Sequence, residues 1–513
     1  MTNLKKLIFL GLDGATWIQF DKFVSLGKMP NLGNIINEGT RGTLLSSFPF
    51  TSRTSWLNML SGANPGKHGI PHHIVGGKHE IPLIPNILSN NNIQSIIVNN
   101  LVTFPPEQIN GIMITGGFST PPSSKNYVFP KTMYDEINNV ANGYIPSLDP
   151  SIITKIEEGK IDDAFNQLDE YGKKIVKTSL YLAKKYDWHF FLTILENTDY
   201  LHHFFWDKSE YLERFYIWLD TVLLDFKRLA DDNEANLIIV SDHGFGPIEK
   251  HFLINSWLNS ENLTKLGKPS HARKLLNKLK IKRKLVRKNL SSIGMRGLLS
   301  KITPSEIKKI VPIDEDEVGF IQENSAVFSE AYNEISVRTE NPDIYEKTRN
   351  LVIEKLLTLE DEGKKVVSEV RKREDVFSGI FSKRAYDIQF LLNEGYCWSP
   401  SIRENFLLTN KELKTSRVGD HRPEGILIAI GPDIKKSYTL SKHYFLWDIC
   451  PTVLHIMNTK TPSYCDGNLI REIFKEDSLF FTKSISKQEI TEKESLKDII
   501  SKKKSLLKIL LIT

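Results

Sequence analysis

The chain has 513 residues, which is enough to bury a large core and to form more than one structural unit. Hydrophobic residues make up 40% of it and charged residues 25%, as in ordinary soluble globular proteins. Its 67 basic and 62 acidic residues leave a net charge of only +5. This balance argues against a protein that binds nucleic-acid polymers, because such proteins usually carry a strong positive excess.

Five short apolar runs indicate the strands of a sheet: KLIFLGLD at 6–13, QSIIVNN at 94–100, HFFLTILEN at 189–197, NLIIVSDHG at 236–244 and GILIAIGP at 425–432. Continuous apolar strands separated by longer helical stretches are typical of a parallel sheet covered on both faces. Helical periodicity is visible at 169–186 and 211–229. We therefore predict an α/β fold with a doubly wound, mostly parallel sheet sandwiched by helices.

The middle of the chain predicts an inserted lobe. Residues 1–258 form the first part of the core, 259–384 an inserted α/β cap lobe, 385–473 the return to the core, and 474–513 a polar tail. The segment 272–289 is densely basic, with Leu, Ile and Val at helical spacing. It is either a solvated face of the cap or a contact with an anionic surface, such as a peripheral contact with membrane phosphates.

Acidic and histidine side chains follow the predicted strands. The list is Asp13 after the first run, Asp199 and His203 after the third, Asp242 and His243 after the fourth, and His421 in the loop before the last. Open parallel sheets bind ligands at the carboxyl ends of their strands, where the loops converge. We therefore expect these three carboxylates and three imidazoles to lie at one edge of the sheet. Their oxygen and nitrogen donors suit Zn or Mn, and two sets of three can hold a pair of ions.

A candidate nucleophile lies in FPFTSRTSWLNMLSGANPGKHGI, residues 48–70. A helix is predicted from Arg53 to Leu60, ending at Gly62, with the hydroxyls of Thr51 and Ser52 just ahead of it. A hydroxyl there benefits from the free backbone N–H groups and the positive end of the helix dipole. The alternative is that one of these hydroxyls only caps the helix.

Six ordered motifs resemble the type I phosphodiesterase/nucleotide pyrophosphatase branch of the alkaline phosphatase superfamily: GLDGATW, MPNLGNIINEGTRGTL, SRTSW…SGANPGKHGI, TDYLHHFFWD, SDHGFGP and DHRPEGILIAIGP. The likeness covers most of 6–260 and returns at about 385–473. It implies one metal held by Asp13, Ser52, Asp242 and His243, and a second held by Asp199, His203 and His421.

The same resemblance selects Ser52 over Thr51 as the nucleophile and implies a phosphoseryl intermediate. One departure is Ser55, three positions after Ser52, where better-known nucleotide pyrophosphatases have Asn. Arg53 is then the candidate for holding a phosphate oxygen, with Thr51 beside it.

The expected function is therefore a metal-dependent phosphodiesterase or nucleotide pyrophosphatase-like hydrolase, using two divalent ions (Zn, or Mn) and a small-molecule phosphate ester. A phosphomonoesterase or a phosphonate or lipid-headgroup hydrolase is the main alternative. A phosphoglycerate mutase-like enzyme fits less well because its inserted domain stands elsewhere in the chain. A sulfatase lacks support because its Pro and Arg pattern after the nucleophile is missing. A non-catalytic binding protein fits poorly with all six ligands and the hydroxyl present.

The compartment is expected to be the cytoplasm, and the oligomeric state is left open. Cys397, Cys450 and Cys465 lie far apart in sequence without a CxxC motif, which fits a reduced compartment. The apolar run near Met1 is too short for a signal peptide. No apolar stretch in the sequence approaches the ~20 residues of a membrane helix.

Overall fold

The computed structural model describes residues 4–72, 77–267, 320–322 and 325–489. The chain divides into two compact units. The first contains Met1–Ile248, Lys372–Ala385 and Thr415–Thr513, and the second contains Glu249–Arg371 and Tyr386–Lys414. This division differs from the predicted one, because Lys372–Ala385 belongs to the first unit and Tyr386–Lys414 to the second.

A ten-stranded sheet runs through the first unit. Its strands in chain order are β1 (Leu7–Leu12), β2 (Thr40–Leu45), β3 (Ser95–Asn100), β4 (Gly111–Thr115), β5 (Val128–Phe129), β6 (Phe190–Leu195), β7 (Asn236–Val240), β8 (Glu424–Ile430), β9 (Tyr438–Thr439) and β10 (Tyr444–Phe445). All five predicted runs are strands of this sheet, whereas β2, β4, β5, β9 and β10 were not predicted. The sequence reasoning passed over β2 because TRGTLL is not a continuous apolar run.

The spatial order of the strands is β9-β2-β8-β7-β1-β6-β3-β4-β5, with β10 beside β2. The five central strands β7, β1, β6, β3 and β4 are parallel. In contrast, β8 runs antiparallel to both β7 and β2, and β5 antiparallel to β4. The mostly parallel sheet is confirmed, but GILIAIGP is an antiparallel member of it. Its amino end therefore lies at the edge where the parallel strands finish.

Helices cover both faces of the sheet. Those of the first unit are α1 (Trp17–Ser25), α2 (Pro30–Glu38), α3 (Ser52–Ser61), α4 (Pro65–His68), α5 (Ile84–Asn90), α6 (Tyr134–Ala141), α7 (Ser151–Glu157), α8 (Ile161–Lys185), α9 (Asn197–Phe205), α10 (Ser209–Asp232), α11 (Arg373–Val376), α12 (Ile449–Ile456) and α13 (Leu479–Thr482). Alternate residues of β1 enter two different cores, with Ile8 and Leu10 in one and Leu7 and Phe9 in the other. This alternation places one core on each face, as a doubly wound sheet requires.

The second unit has its own sheet of four strands, in the spatial order Val327–Phe328, Glu334–Val337, Ile388–Leu392 and Val367–Lys372. The helix Pro342–Thr358 buries Val352 and Leu356 in the same core as Ile335 and Phe390. The second unit is therefore also α/β. The basic segment 272–289 and residues 490–513 of the predicted tail lie outside the described residues.

The helix that carries Ser52 ends at Gly62, as predicted. Gly62 has a φ of +69°, which L-residues with a side chain rarely adopt. Two cysteines that are distant from this helix in sequence come together against Gly62. A Cβ at Gly62 would lie 2.8 Å from Cys450 Cβ and would also meet Cys465 Sγ, while the Cys465 thiol donates to the Gly62 carbonyl at 3.1 Å.

We expect Gly62→Ala to lower the free energy of unfolding by about 2–4 kcal/mol, because the left-handed backbone costs about 1 kcal/mol and the clash adds about 1–3 kcal/mol. Gly27→Ala is the matched control, since Gly27 has a φ of +67° but nothing within 4 Å of the added Cβ. Urea unfolding of both variants separates the two contributions. Equal losses in the two variants would contradict the packing part of the argument.

Among the helices within the described ranges, none is both long and apolar enough to cross a lipid bilayer.

Candidate metal centre and nucleophile

The structure gathers all seven predicted site residues at one edge of the central sheet. Asp13 follows β1, Asp242 and His243 follow β7, Asp199 and His203 lie on α9 after β6, Ser52 opens α3, and His421 lies in the short strand Gly419–Arg422. We call Asp13, Asp242 and His243 the first ligand set, and Asp199, His203 and His421 the second ligand set. Within each set, one ligand atom from every residue lies within 4.8 Å of the other two.

Ser52 lies against the first ligand set. Its hydroxyl donates to Asp13 Oδ1 at 3.2 Å, and its Oγ also lies 3.2 Å from His243 Nε2. His243 Nε2 lies 3.5 Å from Asp13 Oδ1 and 3.4 Å from Asp242 Oδ2. The hydroxyl thus has two candidate metal ligands as its immediate neighbours, at the amino end of a ten-residue helix.

The second ligand set adjoins the first. Asp199 Oδ1 lies 3.4 Å from His203 Nε2 and 3.2 Å from His421 Nε2, and His243 Nε2 of the first set is 4.0 Å from the same oxygen. Asp199 and His203 are four residues apart on α9, so they share one face of that helix. The strand Gly419–Arg422 pairs antiparallel with the strand Gly244–Leu253, in a register that sets His421 opposite Phe245.

The backbone fixes the tautomers of all three histidines. Each Nδ1 lies at hydrogen-bond distance from a carbonyl oxygen: His203 from Gly419 at 2.9 Å, His421 from Phe50 at 2.7 Å, and His243 from Gly244 at 3.1 Å. A carbonyl oxygen only accepts, so Nδ1 carries the proton and Nε2 presents a lone pair to the site. The Nε2 atoms of His203 and His421 are only 3.1 Å apart. Two facing lone pairs at that distance repel each other unless a cation or proton lies between them.

The donor set fits divalent cations. Burial lowers the pKa of His203 to about 3 and that of His243 well below its ordinary value, so both imidazoles are neutral ligands. Asp199 Oδ1 and Asp242 Oδ2 are buried and accept no hydrogen bond from the part of the chain that the structure describes. Neutral imidazoles beside buried carboxylates without donors suit Zn or Mn.

Neighbouring groups orient the carboxylates of the first ligand set. The indole Nε1 of Trp56 donates to Asp13 Oδ2 at 2.9 Å, and the backbone N–H of Gly14 donates to Asp242 Oδ1 at 3.2 Å. Gly14 has a φ of +67°, and a Cβ there would lie 2.9 Å from the ring of Phe245. The motif GLDGATW therefore requires glycine at this turn. The contact of Trp56 with Asp13 could not be predicted from the motif, because a motif does not show which way a side chain points.

The two predicted substrate-binding residues have other partners in the structure. Thr51 stands at the N-cap position of α3, but its side chain makes no capping hydrogen bond, and its hydroxyl donates to Thr54 Oγ1 at 3.3 Å. Arg53 Nη2 donates to the carbonyl of Gly77 at 2.7 Å. Their roles in substrate binding stay predictions.

Other polar groups lie beside the site, and of these the Arg417–Asp420 pair was not predicted from the sequence. His202 Nδ1 lies 3.0 Å from the carbonyl of Gly14, and its Nε2 lies 2.7 Å from the Tyr216 hydroxyl. Arg417 and Asp420 pair at 2.7 Å beside the second ligand set. The sequence does show a charged loop before GILIAIGP, in which this pair lies. Residue spacing alone did not show which side chains of that loop would face the site.

A family model of type I phosphodiesterases/nucleotide pyrophosphatases matches residues 7–420, well over half of the chain. The chain belongs to this family. Its central sheet and covering helices are therefore the fold of a member of the type I phosphodiesterase/nucleotide pyrophosphatase family. No curated protein matches the sequence at a significant level.

Two solved structures resemble the fold of this family member. A mutant of alkaline phosphatase PafA gives a TM-score of 0.53 at 15% identity, with 93% of this chain and 100% of that chain covered. Phosphonoacetate hydrolase from Sinorhizobium meliloti 1021, in complex with phosphonoformate, gives 0.51 at 13% identity, with 89% and 95% covered. Both show the α/β fold of the alkaline phosphatase superfamily.

Membership places the protein among phosphodiesterase, pyrophosphatase or phosphatase-type hydrolases, which are enzymes acting on phosphate esters. The superfamily depends on metal ions, and the two ligand sets are the candidate residues for holding them.

The buried carboxyls predict how the stability of metal-free protein depends on pH. Burial, with neighbouring carboxylates, raises the pKa of Asp242 to about 7 and that of Asp13 well above its ordinary value. Above about pH 7 the unfolded chain has already released these protons, whereas the folded chain still holds some of them. We therefore expect the free energy of unfolding in EDTA to fall between about pH 7 and pH 8.5. Urea unfolding across this window tests it, and a constant or rising stability would contradict it.

Proposed function

We propose that this protein is a metal-dependent phosphodiesterase or nucleotide pyrophosphatase-like hydrolase that cleaves phosphate esters through a phosphoseryl intermediate at a two-metal site. One observation carries the proposal. The Ser52 hydroxyl lies 3.2 Å from both Asp13 Oδ1 and His243 Nε2, with the second ligand set directly beside them. A nucleophile in contact with one metal set and next to another is the arrangement that in-line phosphoryl transfer needs.

The first ligand set and Ser52 would hold one divalent ion, and the second ligand set the other. Zn, or alternatively Mn, would supply charge neutralisation for the transferring phosphoryl group and a lowered pKa for the Ser52 hydroxyl. The chain itself contributes the amino end of α3, whose free N–H groups and dipole favour a negative oxygen at Ser52. Trp56 and Gly14 keep the two carboxylates of the first set in position.

The reaction proceeds by two displacements at phosphorus. Ser52 Oγ attacks the phosphorus and forms the Oγ–P bond, while the opposite P–O bond breaks and the leaving group departs with its electron pair. Water then attacks the phosphoserine, the Oγ–P bond breaks, and Ser52 regains its proton. An in-line displacement places the leaving group on the side away from Ser52. In this proposal the leaving group faces the second ligand set, because Ser52 itself lies against the first.

A phosphodiester or a pyrophosphate bond is the proposed substrate class, with Arg53 and Thr51 as candidate contacts to a non-bridging oxygen. A phosphomonoesterase is the second candidate, favoured by the Arg417 guanidinium beside the site, which suits a substrate with additional negative charge. Both candidates use the same nucleophile and ligand sets.

Hydrolysis of bis-p-nitrophenyl phosphate and of p-nitrophenyl phosphate separates these candidates. We expect the purified protein to cleave the diester faster, to lose this activity in EDTA, and to regain it with Zn or Mn. A faster monoester reaction with the same metal dependence would replace the first candidate by the second. Chelator-resistant turnover would contradict the two-metal site.

A further inference from the structure

Arg417 lies beside the second ligand set without belonging to it. Its Nη2 donates to Asp420 Oδ1 at 2.7 Å and also to His203 Nε2 at 3.3 Å. The side chain of Arg417 is 34% exposed, whereas that of Asp420 is only 1% exposed. The guanidinium is therefore held by a buried acid, while about a third of the Arg417 side chain stays exposed.

The ion pair with Asp420 fixes the direction of Arg417. A guanidinium and a buried carboxylate 2.7 Å apart hold each other in one position. A buried ionised pair of this kind is rigid, because separating the charges would leave one of them buried alone. The ion pair with Asp420 does not by itself explain why the Arg417 guanidinium also contacts His203, a candidate metal ligand.

The contact with His203 indicates what the guanidinium meets during catalysis. His203 Nδ1 carries the proton, so the lone pair that His203 would offer to a cation is on Nε2. A bound cation would take that lone pair, and Nη2 would then donate to another acceptor at the same place. In the displacement proposed above, the leaving group faces the second ligand set, so its oxygens are acceptors that Nη2 could meet there.

We propose that Arg417 binds an anionic oxygen on the leaving group and thereby favours substrates whose leaving group is itself a phosphate. This inference rests on the proposed function. A guanidinium presents N–H donors in one plane, which matches two phosphate oxygens better than a neutral alcohol or phenol. Arg417 is thus a specificity-determining residue for phosphoanhydride bonds over diesters with uncharged leaving groups.

Two AMP derivatives isolate the leaving group. P1,P2-di(adenosine-5′) diphosphate releases AMP whichever phosphorus is attacked, whereas the p-nitrophenyl ester of AMP releases p-nitrophenolate. Both leave the same adenylyl group on Ser52, so the second displacement is common to them. We expect Arg417→Gln to lower kcat/KM about 10–100-fold for the diphosphate and less than about threefold for the nitrophenyl ester, with partial recovery in Arg417→Lys.

Arg41→Gln is the matched control, since Arg41 forms a guanidinium–carboxylate pair with Asp21 at 3.0 Å and lies on β2, two strands away from β7 in the sheet. It should change neither rate, and metal content should be equal in all variants. Equal losses on both substrates, or loss of metal in Arg417→Gln, would overturn the role of Arg417 in specificity. A wild-type protein that shows no chelator-sensitive turnover of either compound would instead overturn the proposed function.

Discussion

Replacing Ser52 with Ala is expected to abolish the covalent intermediate and to lower phosphodiester turnover by about 10³-fold or more, because no other hydroxyl takes its place as nucleophile. The Ser52 hydroxyl lies 3.2 Å from two residues of the first ligand set, but those residues keep their own side chains in the variant. Metal content should therefore stay close to that of the wild type. The expected loss of activity then comes from the missing nucleophile and not from a loss of bound metal.

Two measurements check this expectation: turnover of bis-p-nitrophenyl phosphate, and mass spectrometry of acid-quenched protein for phosphorylated Ser52. Ser61→Ala is the control, because Ser61 lies on the same helix and its hydroxyl donates to the Leu57 carbonyl and accepts from the Ala63 N–H. Full activity in Ser52→Ala would refute the assignment of the nucleophile.

The second large effect is expected for Asp242→Asn, which should lower metal affinity by more than about 100-fold, since even partners outside the ligand shell typically contribute 10–100-fold. The amide has nearly the same shape as the carboxylate but lacks its charge. Asp242 is fully buried, and burial raises its pKa, so the charge is costly when no cation compensates for it. The metal-free variant should therefore be more stable than metal-free wild type at about pH 8.

Elemental analysis and thermal unfolding with and without EDTA measure both halves of this prediction. In the wild type, EDTA should lower Tm, because a ligand that binds only the folded state stabilises it. Asp220→Asn is the control: Asp220 is also buried, but it accepts from Leu32 N at 2.8 Å, away from the site. It should lose stability and keep its metal. A metal content in Asp242→Asn equal to that of the wild type would contradict the ligand role.

The sequence predicted the strands and the site residues that follow them because both depend on local signals. A run such as NLIIV is apolar at every position, as expected for a strand buried on both faces, and β7 is buried throughout. A polar residue directly after such a run must lie where the strand leaves the core. The four-residue spacing of Asp199 and His203 similarly predicted a shared helix face, and α9 provides it.

Contacts between distant segments could not be predicted in this way. The Trp56 indole on Asp13, the contact of Arg417 with His203 and the meeting of Cys450 and Cys465 at Gly62 all join segments far apart in sequence. Residues 372–384 were predicted in the cap because their composition is charged like that of their neighbours, whereas they belong to the first unit. The composition of a segment indicates how exposed it is to solvent, but not which of the two units it joins.

His421 shows most clearly which features follow from local sequence and which follow only from the tertiary structure. The sequence by itself determined that three carboxylates, three imidazoles and one hydroxyl stand next to buried elements, because hydrophobic burial and the chemistry of polar side chains act residue by residue. Only the tertiary structure decided that β8 runs antiparallel to β7, which brings the loop before β8 to the carboxyl edge of the parallel strands. Had β8 been parallel, His421 would lie at the far edge, since strand direction depends on pairing between segments that no local pattern encodes.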